Sequence, residues 1–293
     1  MKKEGFRPVD YHTHTIEHGL AKPRTVKETV QSAINVGLST ICLTDHYPLP
    51  LTYVDPTSEK DCAMPMSDYS IYQEEVQQAV KEFSGQINVR RGVEMDWVPQ
   101  YLDWTKEQLA NWPFDYVIGS IHFLGRIKDS EGERNFLLDY DESEFLKGVN
   151  NFGGMENLSR SYFQELRQMI SSGLFDGVGH LDLIKKYNDG KLFSGNENWY
   201  RGDISKTLDM IATSGMSIEI NTAGLDKKCK ETYPDLWTLK NAKERNIPIT
   251  IGSDGHTPKN IGRNIDAAIK LAKSAGYDQI VEYRNRQKIP LVI

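Results

Sequence analysis

Short apolar segments alternate with amphipathic helical patterns from one end of the chain to the other. The first apolar segment, residues 7–11, is followed by a helical pattern with Val26, Val30 and Ala33 on one face and a stop at Gly37. Residues 25–28 have the form of a capping box at the start of this helix. Six further apolar segments predict strands at 39–44, 87–93, 115–121, 175–179, 216–220 and 248–252.

Helical patterns occupy the intervals between these segments. One of them places Tyr72, Val76 and Phe83 on the same side. Further helices are predicted near 105–111, 157–172, 203–214, 234–245 and 264–275. Strands that are separated by helices favour parallel pairing, because each crossover must return the chain to the same end of the sheet. Seven such units predict a closed or nearly closed α/β barrel, formed by one domain over residues 1–293.

Two segments interrupt this alternation. Residues 47–66 are punctuated by prolines, and residues 126–154 are long and irregular. Loops of this length in a compact domain are often lids or binding walls. We therefore expect both segments to lie against a bound substrate.

Composition limits the classes of protein that this chain can belong to. The formal net charge of -6 argues against binding to polymeric nucleic acid, although a few local cations could still attract a small anion. Its three cysteines lack the spacing of a thiolate metal knuckle or a redox motif, so we expect reduced thiols. There is no secretory-signal pattern and no apolar run long enough to span a bilayer. These features predict a cytoplasmic protein without a membrane partner.

Residues able to bind a metal follow almost every predicted strand. In chain order they are His12 and His14, Asp45 and His46, Glu94 and Asp96, His122, His180 and Asp182, Asn221, and Asp254 with His256. Active sites of α/β barrels are built at the carboxyl-terminal ends of the strands. We therefore expect these side chains, distant in sequence, to meet in one mouth.

Each of these residues also has a structural explanation when it is taken alone. Side chains two apart on an extended strand, such as His12 and His14, share a face and can bind one ion, but they can also be simple polar strand endings. A single histidine such as His180 is more often a hydrogen-bonded core residue, and His18 in a loop is more often at the surface. The structural explanation must hold separately for all seven histidines, so a metal centre is the better prediction.

The number and type of candidate ligands indicate more than one ion. A catalytic tetrahedral zinc takes only three protein ligands. The candidates are His12, His14, His18, His46, Glu94, His122, His180, Asp254 and His256. Imidazole and carboxylate ligands without thiolate fit two or three ions of zinc, manganese or iron, and the choice among these metals stays open.

The chain resembles the PHP family of metal-dependent phosphoesterases, named for polymerase and histidinol phosphatase, and most closely its histidinol-phosphatase branch. The matching motifs occur in family order at residues 10–15, 43–50, 92–96, 119–124, 179–185, 219–225 and 252–256. The resemblance implies a distorted (β/α)7 barrel with a trinuclear centre. It implies one ion held by His12, His14, Glu94 and Asp254, a second by Glu94, His122 and His180, and a third by His18, His46 and His256.

The expected reaction is hydrolysis of L-histidinol phosphate to L-histidinol and phosphate, as in histidine biosynthesis, by a metal-bound hydroxide without a phosphoenzyme. Glu94, Asp254 and His256 are the expected catalytic residues, with Asp254 as a candidate proton carrier. The substrate phosphate also needs protein cations, for which Lys185 and Arg263 are candidates. We favour Arg160 and Arg201, because a planar guanidinium matches phosphate oxygens.

Two other functions remain open. One is a PHP phosphoesterase that acts on a nucleotide or another small phosphate ester, or as a polymerase-associated exonuclease. The absence of a basic, aromatic-rich stripe argues against a polymeric substrate. The other is a metal-stabilised binding module without turnover, whose site would be closed to water. The sequence does not predict an oligomeric state.

Overall fold

The computed structural model of the protein describes residues 7–16, 25–130 and 132–293. The strands in these residues are β1 (Val9–Thr13), β2 (Thr40–Leu43), β3 (Asn88–Asp96), β4 (Tyr116–Ser120), β5 (Phe123–Asp129), β6 (Gly132–Leu137), β7 (Gly177–Val178), β8 (Ser217–Asn221), β9 (Ile249–Gly252), β10 (Gln279–Arg284) and β11 (Gln287–Val292). Seven of them form a parallel sheet in the order β1-β2-β3-β4-β7-β8-β9. Every strand predicted from the apolar segments is present in this sheet.

Helices lie between successive strands of this sheet, and one more follows its last strand. They are α1 (Val26–Asn35), α2 (Met66–Glu82), α3 (Leu102–Ala110), α4 (Glu142–Asn151), α5 (Met155–Ser171), α6 (Asn198–Ser214), α7 (Leu236–Glu244) and α8 (Ile265–Ser274). Their apolar faces cover the strands, so that Val30 of α1, Tyr72 of α2 and Leu166 of α5 are completely buried. Strands that are covered on both sides appear in sequence as continuous apolar runs. This explains why the apolar segments located the strands so well.

The two outer strands of the sheet meet each other, and this contact nearly closes a barrel. Thr13 forms a parallel bridge with Gly255. The backbone N–H of Asp254 donates to the carbonyl of His12 at 2.8 Å, and that of His14 donates to the carbonyl of Gly255 at 2.9 Å. The predicted distorted (β/α)7 barrel is confirmed. The same bonds bring the first and last metal-ligand motifs side by side.

The segment between β4 and α5 is more regular than the sequence indicates. Residues 126–154 were expected to be irregular, but β5 and β6 pair as an antiparallel hairpin and α4 follows them. Asp141 caps α4 by accepting a hydrogen bond from the Glu144 N–H at 2.8 Å. Hence this segment is an ordered hairpin followed by a helix.

The prediction of a capping box at residues 25–28 is wrong. The Thr25 side chain makes no capping bond to the helix. Its hydroxyl instead donates to the Thr15 carbonyl at 3.0 Å, and its backbone N–H donates to the same oxygen at 2.9 Å. This tertiary partner ties the start of α1 to the end of β1, which local sequence spacing cannot reveal.

A carboxyl-terminal hairpin of β10 and β11, which the sequence patterns did not predict, packs at the amino-terminal ends of the barrel strands. Tyr283 is almost fully buried there. The Tyr283 backbone N–H donates to the Tyr11 hydroxyl at 2.9 Å, and the Tyr283 hydroxyl donates to the Asp176 carbonyl at 3.0 Å. The end of the barrel opposite the histidines is therefore filled by side chains.

None of the helices in the described residues is both long and apolar enough to cross a membrane. The three cysteines, all within the described residues, are free thiols, and Cys42 is buried.

Candidate metal centre

Six histidines meet at the carboxyl-terminal mouth of the barrel, each at or just beyond the end of a strand. Adjacent rings in this cluster lie 4.1–5.2 Å apart between centroids, for the pairs His12–His14, His14–His46, His14–His256, His46–His122 and His122–His180. The seventh candidate, His18, lies outside the described residues. The convergence predicted from the strand ends is therefore present for every histidine that the structure describes. Asp45 and Asp182, which were expected in the same mouth, do not line it: Asp45 accepts hydrogen bonds from Thr15, and Asp182 pairs with Lys185.

Glu94, at the end of β3, occupies the centre of this cluster. Its Oε2 lies 3.1 Å from His12 Nε2, 3.4 Å from His14 Nε2 and 3.3 Å from His46 Nδ1. Its Oε1 lies 2.9 Å from His180 Nε2. The two carboxylate oxygens thus face different groups of imidazoles, which is the arrangement that a bridging ligand between two ions requires.

The expected first set of ligands forms a compact group around Glu94 Oε2. Potential ligand atoms of His12, His14 and Asp254 all lie within 4.8 Å of one another. Asp254 Oδ1 is 3.4 Å from His14 Nε2, and Asn221 donates to Asp254 Oδ2 at 3.1 Å. Asp254 has a φ of 52°, which is uncommon for a residue other than glycine. This backbone conformation is the kind that often marks functional positions.

The expected second set lies around Glu94 Oε1. His122 Nε2 and His180 Nε2 are 3.2 Å apart, at 3.6 Å and 2.9 Å from this oxygen. His122 Nδ1 lies 2.7 Å from Asp96 Oδ1. A carboxylate at one ring nitrogen fixes the tautomer and leaves the other nitrogen available to a metal. Asp96 therefore orients the His122 ring towards Glu94.

Part of the expected third set is also in place. Potential ligand atoms of His46 and His256 lie within 4.8 Å of each other and of a nitrogen of His14. The remaining member, His18, cannot be placed. The described residues thus contain two of the three side chains expected for this ion.

The hydrogen bonding of the buried ring nitrogens indicates whether this cluster fits metal ions. His12 Nε2 and His14 Nε2 are buried and form no hydrogen bond. Leaving a buried polar atom unsatisfied costs about 1–3 kcal/mol, and a coordinated ion would remove this cost. The donors are imidazole and carboxylate without thiolate, as zinc, manganese and iron prefer. The residues therefore fit divalent transition metals.

The electrostatics of the cluster lead to the same conclusion. Burial opposes ionisation of Glu94, but the neighbouring imidazoles of His12 and His46 outweigh it and hold the pKa of this carboxyl well below its usual range. Burial likewise opposes a charge on His12, yet the surrounding carboxylates, Glu219 first among them, raise the pKa of its imidazole well above the ordinary value. The buried carboxylates thus create a site that favours positive charge, which divalent ions would supply.

Glu219 is a site residue that reasoning from the sequence missed. Its Oε1 lies 2.8 Å from His12 Nδ1, and its Oε2 accepts a hydrogen bond from the His180 N–H at 2.9 Å. A Cβ at Gly252 would collide with this carboxylate, so glycine there leaves room for it. The signal in the sequence was an acidic residue inside the apolar segment 216–220.

A cavity of about 450 Å³ opens above the cluster. Its lining includes the centre itself and three cations, Lys186, Lys227 and Arg263. These cations follow β7, β8 and β9. The rest of the lining comes from the loop after β2 and from the hairpin segment, through residues that include Glu59, Asp61, Phe123, Leu137 and Asp139. Both segments expected to face a substrate therefore contribute to this lining.

Arg160 and Arg201, the cations favoured from the sequence, do not line this cavity. Arg160 on α5 donates to Glu156 Oε1 at 2.7 Å and faces Asp203 of α6 at 3.8 Å. Arg201 lies 4.6 Å above the ring of Trp237 and donates to the Gly195 carbonyl at 3.1 Å. Both guanidinium groups are thus engaged on the outer helical layer, because the crossover helices turn these side chains away from the mouth.

The other two candidate cations differ from each other. Lys185 is buried and pairs with Asp182 at 2.8 Å and Glu231 at 3.2 Å. Arg263 lines the cavity and pairs with Asp226 at 3.0 Å. Of the four arginines and lysines singled out in the sequence, Arg263 alone is placed to reach a ligand above the metal centre.

Comparison with known proteins agrees with this architecture. Residues 10–223 match the PHP domain. A probable histidinol-phosphatase of Deinococcus radiodurans is 34% identical over 283 residues, 96% of this chain and 98% of that protein. The histidinol-phosphatase of Bacillus subtilis is 32% identical over 271 residues, 89% of this chain and 98% of that protein.

A solved structure shows the same fold. It is the histidinol phosphate phosphatase of Lactococcus lactis complexed with zinc, L-histidinol and phosphate, with a TM-score of 0.73 at 22% identity over 97% of this chain and 99% of that one. The matched domain covers well over half of the chain, and the sequence relatives match nearly its whole length. The chain belongs to the PHP family.

Proposed function

We propose that this protein is a metal-dependent phosphomonoesterase that hydrolyses L-histidinol phosphate to L-histidinol and phosphate. The observation that carries this proposal is the cluster of imidazoles around Glu94 at the floor of a cavity that also presents three cations. The histidinol-phosphatase names of two relatives at 34% and 32% identity support the same substrate.

Two or three divalent ions would be held by His12, His14, His46, Glu94, His122, His180, Asp254 and His256, with His18 as a further ligand. Zinc is the first metal to test, because the Lactococcus lactis protein contains it; manganese and iron suit the same donors. Such ions activate water and neutralise phosphoryl oxygens during displacement at phosphorus.

The protein's own residues would bind and orient the ester. Lys186, Lys227 and Arg263 surround the side of the cavity where the phosphate would lie, and charge-assisted hydrogen bonds from them would fix it above the centre. This set replaces Arg160 and Arg201 as the substrate-binding residues. The three cations also favour the charge that builds up on the phosphoryl oxygens during the reaction.

Glu94, Asp254 and His256 would be the catalytic residues. All three line the cavity, but Glu94 is almost fully buried, whereas Asp254 and His256 are partly exposed. Their facing atoms, His256 Nδ1 and Asp254 Oδ1, lie 3.6 Å apart. Asp254, with His256 beside it, would pass to the leaving alkoxide the proton that the attacking water releases.

The acidic part of the cavity wall favours histidinol phosphate over a nucleotide. Glu59 and Asp61 of the loop after β2 lie there, and Phe123 and Leu137 line the same cavity. Carboxylates beside apolar surface suit the ammonium and imidazole of an amino alcohol and oppose a polyanion. An opening to solvent of this size also disfavours a closed binding module without turnover.

Three wider predictions from the sequence remain part of this proposal. The chain would act as one barrel domain over residues 1–293. It would work in the cytoplasm on a small phosphorylated substrate. It would not bind polymeric nucleic acid.

Turnover with a panel of phosphate esters tests the proposed substrate. The metal-free protein is loaded with zinc, manganese or iron in turn and assayed with L-histidinol phosphate, glycerol phosphate and nucleoside monophosphates. We expect kcat/KM for histidinol phosphate to exceed the others by roughly 10²-fold, because only this ester places a cation against the acidic wall. Equal or higher values for a nucleotide would show that the alternative substrate class is correct.

Hydrolysis in ¹⁸O-labelled water tests the route of the reaction. Direct attack of water on phosphorus places one labelled atom in each phosphate and none in histidinol. Label in the alcohol would mean that the C–O bond breaks instead, and this result would contradict the proposed mechanism.

A further inference from the structure

Lys186 is held by a single acidic residue of the hairpin segment. Its Nζ donates to Asp139 Oδ2 at 2.9 Å and to the Asp139 carbonyl at 2.6 Å. The neighbouring Tyr187 hydroxyl donates to the same carbonyl at 2.7 Å. Asp139 lies between β6 and α4, whereas Lys186 follows β7. These bonds therefore connect the hairpin segment to the part of the mouth that presents cations.

The contact with Asp139 uses only some of the hydrogen-bond donors of Lys186. A lysine ammonium has three N–H donors, and Asp139 accepts two of them. The described residues provide no hydrogen-bond acceptor for the third, and Lys186 lines the cavity. The Lys186 side chain is mostly buried, with 14% of its surface exposed. One N–H therefore remains for a ligand in the cavity, while the other two keep the ammonium in place.

We propose that Asp139 is a positioning residue that aims the ammonium of Lys186 at the substrate phosphate. This inference rests on the proposed function, in which Lys186 binds phosphate. A free lysine side chain loses much rotational freedom when it binds an anion. Asp139 restricts the Lys186 side chain before the substrate binds, so the entropic cost of ordering this side chain upon binding is smaller.

Electrostatics and positioning predict opposite effects for removal of the Asp139 charge. Asp139 is an anion in a cavity that must accept another anion, so Coulomb's law alone predicts that Asp139→Asn strengthens phosphate binding. Positioning predicts that the same variant weakens it, because Lys186 loses its charged anchor. The sign of the change in affinity therefore separates the two roles.

The test measures binding of inorganic phosphate to the metal-loaded protein by calorimetry, and KM and kcat with L-histidinol phosphate. For Asp139→Asn we expect the phosphate Kd and KM to rise about three- to tenfold with a smaller change in kcat. In a Lys186→Met background the same substitution should change Kd less than about twofold, because the residue that it positions is gone.

Asp129→Asn is the matched control. Asp129 lies on β5 of the same hairpin, pairs with Arg134 at 3.0 Å, and does not line the cavity. The Asp129→Asn substitution removes an equal charge from the hairpin segment. We expect the phosphate Kd of this variant to match that of the wild type. Bound metal is measured in every variant and should be unchanged in Asp139→Asn.

Tighter phosphate binding by Asp139→Asn, equal effects with and without Lys186, or loss of metal from this variant would each overturn the proposal. Phosphate binding does not depend on which ester is hydrolysed. A wild-type protein that binds phosphate but does not turn over histidinol phosphate would therefore contradict the proposed function and still allow the Asp139 experiment to be decided.

Discussion

The orientation of single side chains decides how the metal centre can work. Glu219 contacts His12 Nδ1 and the backbone N–H of His180, so one buried carboxylate supports two candidate ligands. Asp96 supports His122 in the same way. Carboxylates that hold ligand imidazoles fix the ring tautomer and strengthen the metal bond. Residues that never touch the metal are therefore expected to be needed for binding it.

We predict that Glu219→Gln weakens metal binding or lowers kcat/KM by about 10–100-fold. The amide keeps the size of the side chain but loses the charge that faces His12. Metal content after dialysis and kcat/KM are the measurements. Glu282→Gln is the control, since Glu282 accepts a hydrogen bond from Thr40 at the opposite end of the barrel. Equal losses in both variants would mean that Glu219 matters only for folding.

The cations that line the cavity lead to a second prediction at this scale. Arg263→Met should raise KM about tenfold with less effect on kcat, because it removes a charge-assisted hydrogen bond to the substrate. Arg201→Met should leave KM unchanged, since Arg201 packs on Trp237 outside the cavity. Steady-state kinetics of the two variants decide the question. A larger effect from Arg201 would restore the assignment made from the sequence.

Two hairpins that the sequence patterns did not predict lie at the two ends of the barrel. The pair β5 and β6 brings Asp139 and Leu137 to the cavity wall, and the pair β10 and β11 brings Tyr283 to the opposite end of the barrel. Tyr283 packs against Tyr116 with ring centroids 4.5 Å apart, and its hydroxyl contacts Ser217 Oγ at 3.0 Å. The carboxyl-terminal hairpin therefore closes the amino-terminal end of the barrel.

We predict that Tyr283→Ala lowers the free energy of unfolding of the metal-free protein by about 3–5 kcal/mol, because it opens a cavity in a packed core. Tyr283→Phe keeps the ring and should cost about 1 kcal/mol through the lost hydrogen bonds. Denaturant titrations measure both values. Val292→Ala on the same hairpin is the control, because Val292 is 72% exposed and should change the value by less than about 0.5 kcal/mol. A Tyr283→Ala protein as stable as this control would show that Tyr283 does not contribute to packing at this end of the barrel.

Closure of the barrel links metal binding to the stability of the whole molecule. The candidate ligands come from β1, β3 and the segments after β2, β4, β7 and β9, so ions bound among them would join distant parts of the chain. Without ions, the buried Nε2 atoms of His12 and His14 form no hydrogen bond. A ligand that binds only the folded state stabilises it in proportion to the logarithm of its concentration over its Kd.

We therefore expect a chelator to abolish turnover and to lower Tm by about 5–10 °C for each ion that it removes, which corresponds to an ion present at roughly 1,000 times its Kd. Differential scanning calorimetry before and after chelation measures the shift. Adding zinc back should restore both Tm and activity. Recovery of Tm without activity would indicate a structural metal and favour the binding module.

The sequence by itself determined the seven strands, most helices and the nature of the centre. Apolar runs mark strands that are buried on both faces, and the motifs around His12, Glu94 and Asp254 stand at their ends. Periodicity and local spacing carry this information, because they depend on residues close together in the chain.

Only the tertiary structure decided which side chains share the cavity. It placed Lys186, Lys227 and Arg263 in the cavity lining and Arg160 and Arg201 outside it, revealed Glu219 behind His12, and joined Asp139 to Lys186. The two partners in such contacts lie on different strands or loops, and a side chain's direction at the mouth depends on how the barrel closes. Local sequence patterns carry no record of that geometry.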